Sequence, residues 1–328
     1  MMNLLRLRVF SVILVLIFAS AAAALPARAS EEGHFDRTLS VTGPVDLDVQ
    51  TGSGNITVRP GDSSKVEIHA KIHASSWHGG DVEARIKSIE DNPPIQQNGN
   101  TIVIGHELDR EREHNISISY ELIVPAETKL QMRSGSGDDS AEGVSGPADA
   151  ASGSGNIRLT NIGAEVHART GSGDIDLNSV HGAARVSSGS GTIHALGIAG
   201  GLNATTGSGD IRLEQTAAGD VEIGTGSGSV EIHGVKGGVH VTTGSGNIDA
   251  DGAPAGEWRL RTGSGDVTVT LPKQAAFDLV AHTGSGSINS EHEMTVQGNI
   301  SPRELHGKVN GGGALVDLST SSGSIRIR

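Results

Sequence analysis

Ten Gly-Ser-Gly triplets divide this chain, beginning at Gly52, Gly135, Gly153, Gly171, Gly189, Gly207, Gly226, Gly244, Gly263 and Gly284, most of them 18 residues apart. A fixed period of this length confines the chain to a repeat architecture, in which each copy is one structural unit stacked on the next. It also means that identity at the repeated positions can serve a recurring backbone rather than chemistry.

In the copy from Gly171 to Ser188, Ile175 and Leu177 alternate with Asp174, Asp176 and Asn178, the period-2 pattern of a half-buried strand. After Val180 and the turn glycine Gly182, a second alternation turns Ala184 and Val186 inward, with Ser188 on the same parity. Each copy therefore holds two short strands. Successive copies keep this register, with Ile157, Leu159, Ile162, Val166 and Ala168 before it and Ile193, Ala195, Ile198, Leu202 and Ala204 after it. Like residues should then stack at the ~4.8 Å strand spacing. The predicted fold is all-β: a single-chain parallel β-solenoid with rungs of roughly 18 residues, right-handed by the default of parallel crossovers. Spacings of 19 after Gly207 and Gly244, and of 21 after Gly263, place extra residues in turns. With aromatics at 2% and 47 glycines, the core must be a thin one of Ile, Val, Leu and Ala.

Residues 1–29 read as an export signal: Arg6 and Arg8, an apolar run from Val9 to Ala24, then Ala27-Arg28-Ala29 as a cleavage site. The mature chain would begin at Ser30, and no later stretch has the ~18 apolar residues of a membrane-spanning helix. We therefore expect export to the periplasm or cell surface without a transmembrane anchor. Residues 30–134 form an N-terminal β-rich cap and first rung. There Val45, Leu47, Val49 and Ile56, Val58 flank the first triplet, and Val66, Ile68, Ala70 and Ile72 alternate. Val82, Ile86 and Ile89 mark a short helix ended by Pro93-Pro94, and Asn98-Gly99 marks a hairpin. Strands follow at about Thr101–Ile104 and Ile116–Val124, joined by the charged passage His106–His114. Residues 135–328 are the solenoid proper, with an excursion at about Glu291–Gly313 before a weaker last copy.

The chain has no cysteine, which excludes a disulfide framework, a thiolate metal site and a cysteine nucleophile. Loss of Arg6, Arg8 and Arg28 with the signal takes the formal charge from −13 to −16, so nucleic acid and anionic membranes are poor partners. The triplets open strands rather than helices, so they are not phosphate loops. Their glycines are expected to take positive φ at sharp corners, and their serines lack the strand-turn-helix elbow of a nucleophile. The polar residue after each triplet runs Asp138, Asn156, Asp174, Thr192, Asp210, Ser229, Asn247, Asp266, Ser287. This alternation of acids with neutral groups reads as corner capping. A calcium-binding nonapeptide coil would need an acid at Ile175, so no calcium is expected to hold the stack.

The outward column Arg158, Asp176, His194, Arg212, Glu231, Asp249, Thr268 mixes signs, as solvated cross-rung pairs do. An active site would instead gather acids and bases on two or three neighbouring rungs. His69 and His73 share a strand face but stand ~13 Å apart. With His78, they read as surface histidines rather than metal ligands. Asp138 and Asp139 point to opposite faces and make a poor acid/base pair. The column Thr170, Thr206, Thr225, Thr243, Thr262, Thr283 has buried parity and is expected to form an internal hydroxyl ladder.

The motif T-G-S-G-[D/N]-I at Thr170–Ile175, Thr206–Ile211 and Thr243–Ile248, with Val309–Gly313 and the closing Thr320–Ile325, resembles the exported bacterial "putative adhesin" domain family of unknown function. That resemblance spans essentially the mature chain and implies a β-solenoid with no assigned catalytic residues. Export, repetition and the lack of a catalytic cluster lead us to expect a non-enzymatic, adhesin-like envelope protein presenting a polar solenoid surface to protein or glycan ligands. No catalytic, cofactor-binding or metal-binding residue is singled out, and no cofactor is expected. The competing readings are a glycan-degrading β-helix enzyme, with acids and His or Arg from neighbouring coils, and an envelope scaffold with a fixed partner.

Overall fold

A computed structural model describes residues 31–74, 82–106, 116–296 and 301–328. Residues 1–29, read from sequence as an export signal, lie outside them, as do His78 and the charged passage after His106. The described chain forms a 14-stranded and a 15-stranded sheet, parallel through their long middle. Each coil gives one strand to each sheet, as Ile175–Val180 and Ala184–Ser188 show. Equivalent residues of successive coils pair directly: Ile157 with Ile175, Ile175 with Ile193, and Ala184 with Val166 and Leu202. The fold is an all-β solenoid, and its interior is built of these aligned aliphatic columns.

Inward alternation alone would send Ile162, Val180, Ile198 and Val235 outward, because each lies three residues beyond the last inward side chain. All four are nonetheless buried. The residue before the apolar one in the first two coils, Asn161 (φ 53°) and Ser179 (φ 59°), is left-handed, and glycine serves in the others, at Gly197 and Gly234. One left-handed residue resets the pleat and returns the third aliphatic side chain to the core. The coil beginning at Gly207 lacks this extra residue and places Gln215 inside. There its amide nitrogen donates to Gly200 O (2.9 Å) and Gly219 O (3.0 Å), so no buried donor is left unmet.

The triplets make the corners. The expected positive φ is found at the third glycine of the first triplet and the last two, Gly54, Gly265 and Gly286, and the middle triplets need glycine for another reason. At Gly155, Gly173, Gly191 and Gly209 φ is not in the left-handed region. A Cβ on Gly191 would instead lie 1.9 Å from Gly173 O, and one on Gly173 2.0 Å from Gly155 O. Each corner thus sits directly on the carbonyl below, where no side chain fits. The buried hydroxyl column locks the same corner. Ser188 Oγ donates to Gly173 O on the preceding rung (2.9 Å) and accepts from Gly191 N of its own triplet (2.8 Å). Thr206, Thr225, Thr243 and Thr262 likewise donate to Gly191, Gly209, Gly228 and Gly246. The hydroxyls bind glycine carbonyls rather than one another, which corrects the expected hydroxyl ladder. Outside the corner, the polar residue after each triplet caps the next rung: Asn156 N donates to Asp138 Oδ1 and Asp174 N to Asn156 Oδ1, at 2.8 and 2.9 Å. Thr192 N and Ser324 N donate to Asp174 and Asp266 in the same way.

Both ends depart from chain order. The coil Val45–Pro60 stacks between the strands of Thr128–Glu142 and those of Thr101–Val124. At the other end, Ala314–Ser322 inserts between Trp258–Ser264 and Phe277–Ser285. The predicted helix is present at Val82–Asp91, with Val82, Ile86 and Ile89 buried. The Asn98-Gly99 hairpin joins the antiparallel strands Ile95–Asn98 and Thr101–Ile104. Within Glu291–Gly313, Met294–Val296 and Glu304–Val309 pair antiparallel.

Ser188→Ala removes the donor to Gly173 O and the acceptor for Gly191 N together, and should destabilise the protein by about 1–3 kcal/mol. The same change at exposed Ser190 should stay within about 0.5 kcal/mol. Urea unfolding of the two variants checks the contrast.

Candidate functional site

On the outer face of the 15-stranded sheet, residues at one strand position form the column Asp149, His167, Arg185, Asn203, Glu222, His240, Arg259, Asp317. The position just before each strand gives a second column, in which Glu165, Ala183, Gly201, Asp220, Gly238 and Glu257 succeed one another. Between them runs an open groove of about 750 Å³ along the stack. Its floor is low because Ala183, Gly201 and Gly238 carry little or no side chain. Asp220 lies flat there, its Oδ1 accepting from Gly238 N at 2.9 Å. Glu165 and Glu257 stand at the two ends, five rungs apart, roughly 24 Å at ~4.8 Å per rung.

The wall is a row of polar planes. Asn203 Nδ2 donates to Glu222 Oε2 (2.7 Å). Arg259 pairs with Glu257 and, at 3.4 Å, with Asp317. The floor backbone is already satisfied, since Gly201 O accepts from Ala184 N and Gly238 O from Val221 N, both at 2.9 Å. Anything lying in the groove therefore meets side chains rather than an open sheet edge. Asp220, Glu222 and His240 come together on two neighbouring rungs, a gathering that sequence reading missed. The signal lies in the outward column of the second strand of each coil, where Glu222 and His240 follow one another.

The column read from sequence, on the 14-stranded sheet, is a network of surface ion pairs. Arg158 bonds Asp176 (3.0 Å), His194 approaches Asp176 (3.2 Å) and Arg212 bonds Glu231 (2.7 Å). His233 bridges Asp251 (2.5 Å) and Glu231 (2.8 Å), and the hydrogen bond to Asp251 first, then that to Glu231, raise its pKa. With both ring nitrogens held by carboxylates, His233 has no lone pair free for base catalysis. His69 and His73 face outward beside Asp36 (2.6 Å) and Glu32 (3.9 Å).

Asp138 and Asp139 do point to opposite faces, and the inward one is unusual. Asp139 occupies the core column between Ile56 and Ile157 and is 1% exposed. Ser134 Oγ donates to its Oδ2 (3.0 Å), while Oδ1 has no partner. Burial pushes its pKa up to about 7, the Ser134 bond opposes this, and Asp138 adds a smaller upward push.

With this stacked-corner fold and groove in view, sequence comparison places the chain. It belongs to the Toastrack DUF4097 family, whose pattern matches residues 36–196 and again residues 164–328. No curated protein matches the chain. Among solved structures it is similar to a "putative adhesin" from Bacteroides fragilis NCTC 9343, at 14% identity and TM-score 0.33, over 90% of this chain and 97% of that one. It is also similar to a "putative lipid binding protein" from Parabacteroides distasonis ATCC 8503, at 12% identity and TM-score 0.38, over 90% and 96%. A "putative cell adhesion protein" from Clostridium sporogenes ATCC 15579 matches at 14% identity and TM-score 0.23, over 90% and 99%.

The buried carboxyl makes stability pH-dependent with a defined sign. Its folded pKa lies above the ordinary carboxyl value of 3.8, so the native state holds the proton longer and loses stability as pH rises from about 4 to about 7. Asp139→Asn cannot ionise. It should exceed the wild type at pH 8 by up to about 4 kcal/mol, the equivalent of some three pKa units, with the gap closing below pH 4. Urea unfolding across that range measures it.

Proposed function

We propose that this protein is a non-enzymatic, adhesin-like binding protein, exported to the periplasm or cell surface, whose groove on the 15-stranded sheet holds an extended polar polymer. The observation that carries this reading is the groove itself, an elongated channel bordered at every rung by a hydrogen-bonding side chain and floored by Ala183, Gly201 and Gly238. Among the described residues no helix is long and apolar enough to cross a membrane. We take the coil as right-handed, following the rule for parallel crossovers.

The pitch favours a glycan over a peptide. Groove side chains recur every ~4.8 Å, whereas an extended peptide advances ~3.3–3.6 Å per residue and drifts out of step within a few rungs. A chain of linked pyranose rings advances by close to one rung per sugar. None of the groove-lining residues is Phe, Tyr or Trp, so recognition rests on hydrogen bonds to hydroxyls rather than on stacking against a large ring. The Asp220, Glu222 and His240 group keeps a glycan-cleaving enzyme as the second reading, because acids and an imidazole there flank the path of the ligand.

Ala183 is exposed on the groove floor, so Ala183→Trp should block the channel while changing stability by less than about 0.5 kcal/mol. Purified protein passed over immobilised bacterial and host glycans and matrix proteins should show saturable retention on glycans without product formation. The A183W variant should lose that retention. Retention unchanged in the variant would overturn the groove assignment, retention on matrix proteins alone would overturn the glycan preference, and reproducible cleavage would replace the binding reading with the enzymatic one.

A further inference from the structure

Among the described residues most arginines on the strands are engaged by a side chain or carbonyl. On the two sheets Arg133 bonds Asp48, Arg158 bonds Asp176, Arg212 bonds Glu231 and Arg326 bonds Asp266. Arg259 and Arg261 share Asp317. Two strand arginines differ. Among the described residues the side chains of Arg169 and Arg185 form neither a hydrogen bond nor an ion pair, and both are exposed. They are also neighbours. His167 and Arg169 lie two apart on Val166–Thr170, facing the same way, and Arg185 stacks directly over His167 on the next rung. Ser187 follows Arg185 on the same face, and Asn203 stacks above it. Asp149 under His167, and Glu165 immediately before the strand of His167 and Arg169, bound the cluster, yet neither reaches a guanidinium.

From this placement we propose that His167 and Arg185, at one end of the groove, form an anion subsite together with Arg169, which stands just outside the groove on the same strand face, so that the bound polymer is an acidic glycan. The inference rests on the groove being a glycan channel. Two planar guanidinium forks within one rung of each other present paired N–H donors to an oxyacid group, the geometry arginine offers to carboxylates and sulfates. In a chain of formal charge −13, two adjacent unpartnered arginines are where an anion meets attraction rather than repulsion.

The rest of the groove limits how acidic the ligand can be. Asp220 and Glu222, two rungs beyond Arg185, and Glu257 at the far end repel further anions. The ligand is therefore sparsely charged: one carboxylate or sulfate ester seated at Arg169 and Arg185, followed by neutral, hydroxyl-bearing sugars. A polyuronate with an acid on every ring fits poorly.

The test uses three oligosaccharides of one backbone: one carrying a single uronate, its carboxyl-reduced form, and a neutral chain bearing one sulfate ester. Titration calorimetry on the purified protein should show an acidic form binding at least about tenfold tighter than the reduced form, as charge-assisted hydrogen bonds provide. Uronate preferred over sulfate, or the reverse, identifies the oxyacid. The double variant R169Q/R185Q should bind the acidic and reduced forms alike, while Arg158→Gln, on the opposite sheet, should keep the preference; thermal melts confirm that both variants are folded. Equal binding of all three sugars to the wild type overturns the anion subsite and leaves the glycan channel standing. A preference that survives R169Q/R185Q also overturns it. Binding of none overturns the channel and the subsite together.

Discussion

The close seat of the third triplet glycines from Gly137 to Gly265 on the carbonyl of their counterparts in the preceding triplet governs this molecule. Nothing larger than hydrogen fits there, as the 1.9 Å separation between a Cβ on Gly191 and Gly173 O shows. Because corners nest at that distance, consecutive strands fall into hydrogen-bonding register without slip, and the aliphatic columns align. Ser188 and its threonine counterparts then cross-link each corner to the one beneath, supplying a partner to carbonyls that the turn would otherwise leave unmet. Asp138, Asn156 and Asp174 do the same for amides on the outside of the corner.

A backbone fixed this tightly leaves the outward columns free to vary. On the 14-stranded sheet the freedom is taken up by alternating charges that neutralise one another across rungs. On the 15-stranded sheet small residues at Ala183, Gly201 and Gly238 open a channel, and the ion-pair pattern breaks at Arg169 and Arg185. The functional surface is thus a departure from the repeat, and the repeat itself is scaffold.

Much of the fold was legible in the residues. The period, the two strands per coil, the inward columns, the helix at Val82–Asp91 and the hairpin at Asn98-Gly99 all follow from alternation and turn chemistry, which are local. What stayed hidden depends on contacts distant in sequence. The insertion of Ala314–Ser322 between two earlier coils cannot be read from a pattern that only orders copies along the chain. Positive φ, the commonest local use of glycine, accounts for Gly54, Gly265 and Gly286, whereas in the middle triplets the operative contact is with a residue one coil away. Asp139 could have been found, since it stands where the aligned copies carry Ile157 and Ile175. The groove was less accessible: small residues make a channel only once their columns are known to adjoin His167, Arg185 and Glu222.

The central claim is that the glycines of the middle triplets are required by stacking and not by local conformation or chemistry, and one pair of identical substitutions tests it. Gly191→Ala places a methyl against Gly173 O, whereas at Gly224 the same methyl meets only Thr205 Cγ2 at 3.7 Å. Urea unfolding should show Gly191→Ala losing more than about 3 kcal/mol, and Gly224→Ala unchanged or more stable by about 0.5–1 kcal/mol. Equal stability of the two variants would contradict the account.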